Sequence, residues 1–177
     1  TAGIWIVGQI SPGPYPSAAL GYDGTNWTVG NALNTARTNA GGGAVGTNTA
    51  GLIGSGEGPP GVLLNAEEWN GTSFTSVNSM ITGAGQNSDG AFGVQTAAIF
   101  AGGKTSPSPG NGIVTAQSYD GTNWATSPSL AQARKLATEG GTSTAGIITS
   151  GQATNEASAL ATSEEYTPES TAANYKT

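Results

Sequence analysis

Four short apolar runs, each followed within three residues by glycine, punctuate the chain: Ile4-Trp5-Ile6-Val7, Leu52-Ile53, Ile99-Phe100 and Ile147-Ile148. Runs this short, without polar alternation, fit β-strands covered on both faces. Between them come Asp23-Gly24, Asn70-Gly71 and Asp120-Gly121, each flanked by aromatic positions. Glycine there supplies the positive φ of a hairpin turn, so Tyr22 with Trp27, Trp69 with Phe74 and Tyr119 with Trp124 are predicted to face each other across turns. The stretch from Ser129 to Ala137 is rich in good helix formers. Its counterparts NALNTARTNAGGG and VNSMITGAGQ are poor helices, and a strand-and-loop reading is preferred for all three.

The pattern is periodic. TAGIWIVGQ at Thr1 returns as TAGLIGSGE at Thr49, TAAIFAGGK at Thr96 and TAGIITSGQ at Thr144, with starts 48, 47 and 48 residues apart. A second phrase keeps the same register: GYDGTNWT at Gly21, EWNGTSFT at Glu68, SYDGTNWA at Ser118 and a degenerate EYTPES at Glu165. Arg37 and Arg134 each follow Trp27 and Trp124 by ten residues, with Ala84 at that place in the second copy. Two phrases sharing one period predict a tandem-repeat all-β protein in one repeat domain, with units 1–48, 49–95, 96–143 and 144–177. Gly41 to Gly43, Gly83 to Gly85 and Gly140-Gly141 mark the segments leading to the next copy, where small residues permit close backbone approach. The chain opens at the start of a copy, and its last copy is short and departs from the turn phrase, as a terminal cap would. Either chain upstream of Thr1 or another subunit is expected to cover the remaining sheet edge.

These phrases resemble the kelch-type repeat, in which a hydrophobic strand ending in a Gly pair is followed by Tyr-Asp and then Trp. Ala101-Gly102-Gly103 with Tyr119-Asp120 and Trp124 is the nearest match, and the other copies keep one Gly of the pair. The resemblance implies a kelch-like β-propeller of four-stranded antiparallel blades, about four in this chain or part of a larger ring. The wording YDGTNWT and the tail EEYTPES…YKT are also similar to kelch-like repeat proteins of marine tailed bacteriophages. That likeness implies a tail, fibre or nozzle component, located in a virion or extracellular assembly, oligomeric, with other virion or surface proteins as partners and host glycans as a further partner class.

Composition narrows the functions. With 29 Gly and 9 Pro the chain is turn-rich, yet 36% of residues are apolar and only 9% charged, unlike a disordered chain. A net charge of −6 argues against binding nucleic acid or anionic lipid. No apolar run approaches the roughly 20 residues of a membrane-spanning helix, so membrane insertion is not expected. The chain has no Cys and no His, which removes disulfides, thiolate sites, the commonest general base and the commonest metal ligand.

No catalytic residue, cofactor or metal is therefore expected. Kelch-like copper oxidases need His and Cys beside Tyr, and this chain has Tyr alone. Ser118 to Trp124 approaches the sialidase turn motif but places Gly one position early, and Arg37 with Arg134 do not make an arginine triad for a carboxylate ligand. Glu67-Glu68 and Glu164-Glu165 are adjacent on strands and point to opposite faces, so neither pair converges as acid and base. They read as solvated edge residues, with Ca²⁺ ligation or edge protection as the alternative. The candidate contacts for a ligand or partner are Trp5, Tyr15, Trp27, Trp69 and Trp124. Aromatics repeated at one position usually fill the space between blades, while Trp5 and Tyr15 interrupt the repeat. Asn26-Trp27-Thr28 and Asn70-Gly71-Thr72 match the glycosylation acceptor pattern, relevant only on a eukaryotic secretory route. A structural or receptor-facing module is the first expectation, a lectin-like module the second.

Overall fold

The computed structural model describes residues 15–40, 44–59, 61–104, 110–154, 159–168 and 175–176. The run Ile4 to Val7, Trp5 within it, and the Gly41 to Gly43 cluster lie outside the described residues. Among those described, all regular structure is β. The first sheet is a hairpin of β1 (Leu20–Tyr22) and β2 (Trp27–Val29). The second sheet pairs β3 (Ala44–Gly46), β4 (Gly51–Gly54), β7 (Ala66–Trp69) and β8 (Phe74–Val77) in that order, after a small hairpin of β5 (Glu57–Gly58) and β6 (Gly61–Val62). The third orders β9 (Gly85–Val94), β10 (Ala97–Lys104), β11 (Ala116–Tyr119) and β12 (Trp124–Ser127). The fourth orders β13 (Thr138–Thr142), β14 (Ala145–Thr149), β15 (Ser163–Tyr166) and β16 (Tyr175–Lys176). Every pairing is antiparallel. Leu130 to Ala137 contains no helix, so repetition outweighs local propensity there.

The sheets pack face to face through the apolar runs. Leu52 and Ala66 of the second sheet meet Ala98, Phe100 and Tyr119 of the third, with Met80 between them. Phe92, Ile99 and Ala116 of the third meet Ile148 and Tyr166 of the fourth, with Leu130 from the connector. Each Leu, Ile, Phe or Met side chain so removed from water contributes roughly 1.5–3 kcal/mol, and each Ala less. β4 is buried along its whole length, as expected for a strand covered on both faces. β14 is not: Ile148 is buried, while Ile147, the counterpart of Leu52 and Ile99, is 42% exposed beside an open cleft of about 310 Å³.

The sheets are staggered against the sequence repeat. β3, β9 and β13 precede the repeat starts at Thr49, Thr96 and Thr144, so each four-stranded sheet takes its first edge strand from the unit before. The unit boundary falls inside a hairpin turn. Of the glycine clusters expected at close approaches, Gly83 abuts the Leu63 carbonyl, whereas Gly140 has open space around it within β13.

A second regularity follows each apolar run. Ser55-Gly56, Gly102-Gly103 and Ser150-Gly151 all hold two consecutive positive φ values, from 58° to 95°. The Gly pair of the third copy meets this need without strain, and the two serines adopt the same left-handed conformation at a cost.

Candidate binding surface

The hairpin turns present one motif three times. In each, a side-chain oxygen caps two backbone amides: Asp23 Oδ1 accepts from Thr25 and Asn26 at 2.7 Å, Asn70 Oδ1 from Thr72 and Ser73 at 2.9 Å, and Asp120 Oδ1 from Thr122 and Asn123 at 2.8 and 2.7 Å. Gly24, Gly71 and Gly121 follow with φ near 90–100°. These amide bonds hold the Asp23 and Asp120 carboxyls below the usual carboxylate range, led by Asn26 in one and Asn123 in the other. The strand partners are those expected from sequence: Tyr22 opposite Trp27, Trp69 opposite Phe74, Tyr119 opposite Trp124.

The turns of neighbouring sheets are laced together. Asn31 Nδ2 donates to the Thr72 carbonyl at 2.7 Å, and Asn78, its counterpart one repeat later, donates to the Thr122 carbonyl at 2.9 Å. The exposed turn residues thus form a continuous polar edge of Asp, Asn and Thr crossing three sheets.

The candidate aromatics divide along this edge. Trp69 is 3% exposed, packs on Phe74 at 4.7 Å and donates its indole N–H to the Asn48 carbonyl. A buried, hydrogen-bonded ring cannot serve as a stacking platform, so Trp69 is corrected from contact to packing residue. Trp124 is half-buried against Phe100 and Tyr119 and donates to the Asn78 carbonyl. Trp27 is 55% exposed, resting on Tyr22 at 5.1 Å, and Tyr15 is 38% exposed. Of these four candidates, Trp27 alone stands beside a capped turn with its surface open.

The glutamates require a further correction. Glu67 and Glu164 are completely buried, each paired with an arginine that the preceding connector delivers: Arg37 Nη2 lies 2.7 Å from Glu67 Oε1, and Arg134 Nη2 lies 2.6 Å from Glu164 Oε1. The solvated-edge and Ca²⁺-ligand readings therefore fail for both. Each carboxylate also accepts two connector amides, from Asn34 and Thr35 or from Ala131 and Gln132. Each guanidinium donates through Nη1 to two carbonyls, of Ser55 and Asn65 or of Ser150 and Thr162. Burial pushes the Arg37 guanidinium down and Glu67 pulls it back up. Glu68 points to the other face, as strand geometry requires, and accepts the Tyr119 hydroxyl at 2.8 Å. Burial, then Glu68, raises that phenol, keeping it protonated.

A second buried charged group escaped the sequence reading. Lys104 Nζ lies 3.2 Å from Glu57 Oε1, both at the same repeat position. Lys135 Nζ donates to the Gly110 carbonyl. Burial, and secondarily Lys104, lowers the Lys135 ammonium. Among the described residues no three acidic side chains come together to hold a metal ion, and no helix is long and apolar enough to cross a membrane.

No family model and no curated protein matches the chain. Among solved structures it is similar to one described as "Structure of YjhT", with a TM-score of 0.70 over 91% of this chain at 15% identity. The chain spans about half of that structure's length, 52%. At this identity the likeness is one of fold.

Proposed function

We propose that the chain is part of a kelch-like β-propeller acting as a non-enzymatic structural or receptor-facing component of a phage virion or other extracellular assembly. The observation that carries this reading is the laced row of turns. Its carboxyls are occupied by backbone amides and are poorly placed to move protons, while the side chains of Thr25, Asn26, Thr72, Thr122 and Asn123 stay exposed along the edge. Such an edge suits contact with another protein surface. The stacked antiparallel sheets, three of them four-stranded among the described residues and each tied to the next by its connector, support the propeller reading. The phage setting rests on the wording of the repeat.

The test is a native mass measurement with particle imaging of the full-length protein. A larger symmetric assembly with the hairpin edge in a contact is expected; a dilute monomer without such a contact overturns the reading.

Trp27 favours a second reading, a lectin-like module. Its open ring lies beside Asp23 and Asn26, the combination of stacking face and hydroxyl partners that a sugar needs. A glycan array should then give hits that Trp27→Ala abolishes, and an array without hits removes this reading.

A further inference from the structure

The interface between the second and third sheets keeps the shape of the arginine latch without its arginine. Ala84 stands where Arg37 and Arg134 stand, and Gln117 where Glu67 and Glu164 stand, each two residues before the aromatic that opens the turn. Gln117 Oε1 accepts the amides of Ile81 and Thr82 at 2.9 and 3.3 Å, as the carboxylates accept their connector amides. Its Nε2 donates to the Thr82 carbonyl at 2.6 Å. That carbonyl is the counterpart of Thr35, which takes Arg37 Nε at 3.3 Å. One amide side chain thereby replaces the carboxylate and one donor of the guanidinium. It does not replace Nη1.

The counterparts of the two Nη1 acceptors are the carbonyls of Gly102 and Thr115. Both residues line a small, partly enclosed cavity with Thr82, Ala84 and Gln117, holding about 10 Å³ of water-sized space. This is about one water molecule's requirement, and the wall is polar enough to supply the two to four partners a buried water needs.

We propose that this cavity is a binding site for a single ordered water, seated where Nη1 lies at the other two interfaces and donating to the Gly102 and Thr115 carbonyls. The water completes a neutral version of the latch. It seats this connector without a charge while preserving the hydrogen bonds that hold it.

The test is a high-resolution crystal structure of the full chain beside that of the Ala84→Arg/Gln117→Glu double variant. Expected are one density peak within about 3 Å of both carbonyls in the native protein and, in the variant, its replacement by the Nη1 of the introduced guanidinium. A dry native cavity overturns the proposal, as does a peak that persists beside the seated guanidinium. Should the double variant fail to fold, Ala84→Leu supplies the second measurement: the side chain should fill the space and expel the peak, and a peak left in place overturns the assignment.

Discussion

Two devices seat connectors against the next sheet: a buried ion pair, Arg134 with Glu164, between the third and fourth sheets, and Gln117 opposite Ala84 between the second and third. Both satisfy the same two connector amides with one side-chain oxygen pair or oxygen. The contrast separates two requirements. The fold demands an acceptor at that point, because two partly buried amides would otherwise lose their partners, at up to about 1–3 kcal/mol each. Negative charge is needed only where a guanidinium arrives. A neutral amide and a charged pair thus solve one backbone problem, and neither is intrinsically the more stabilising.

The largest effect should come from breaking one pair. Arg134→Ala leaves Glu164 buried without its cation, and a loss of about 3–5 kcal/mol is expected in a denaturant melt. The sharper experiment is Arg134→Ala/Glu164→Gln, which rebuilds at the fourth sheet what the third already has. Most of the loss should return, leaving a deficit of about 1–2 kcal/mol from the emptied volume. A double variant no more stable than the single one would show that the middle interface depends on something other than its amide.

Glu139 on β13 is the control within the same interface: a partly buried carboxyl with an amide bond from Ala91 but no arginine. Burial pushes it up to about 7 from 4.5, with the Ala91 bond opposing. The native state therefore holds this proton more tightly than the unfolded chain does. The linked stability is present at acid pH and lost as pH rises from about 4.5 to about 7. Discounted for partial solvent screening, the change is about 1–2 kcal/mol, and Glu139→Gln should flatten it. A profile unchanged by the substitution would detach Glu139 from the pH dependence.

The smallest effect repeats the charged-against-neutral comparison in the turns. Asn70→Ala removes two capping bonds and should cost about 1 kcal/mol at any pH. The Asp120 turn should weaken only on acidification, since its depressed carboxyl carries stability that is present above pH 3.8 and lost as pH falls through its lower native value. Amide exchange of Asn123 against that of Ser73, followed from pH 7 to pH 3, reads the difference directly.

The turns and the sheet partners were legible because both depend on local chemistry, Asp-Gly or Asn-Gly between aromatics. The latch was half legible. Arg37 and Arg134 recur visibly, but Glu67 and Glu164 read as solvent-facing, because a charged pair on a short strand looks like an edge. Two signals were available: both arginines precede their glutamates by 30 residues, and where Ala84 replaces arginine, Gln117 replaces glutamate. Substitution in step within one chain is a signal of contact. Trp69 and Trp27 were separable by register: Trp69 precedes its turn, as the buried Tyr119 and Tyr166 do, and Trp27 follows its turn, as the half-buried Phe74 and Trp124 do. The left-handed Ser55 and Ser150 were hidden, because serine carries no mark of the conformation that glycine advertises.

The stagger between repeat and sheet bears on how such a chain can be lengthened or cut. A duplication that copies one period inserts a strand destined for the following sheet together with the connector that must reach into it, so a new copy joins both neighbours at once. Trimming at Thr144 would take away the partners of Arg134 and β13 while leaving those elements attached to the shortened chain. The inherited module and the folded module are offset by several residues, and viable end points lie beyond a completed sheet.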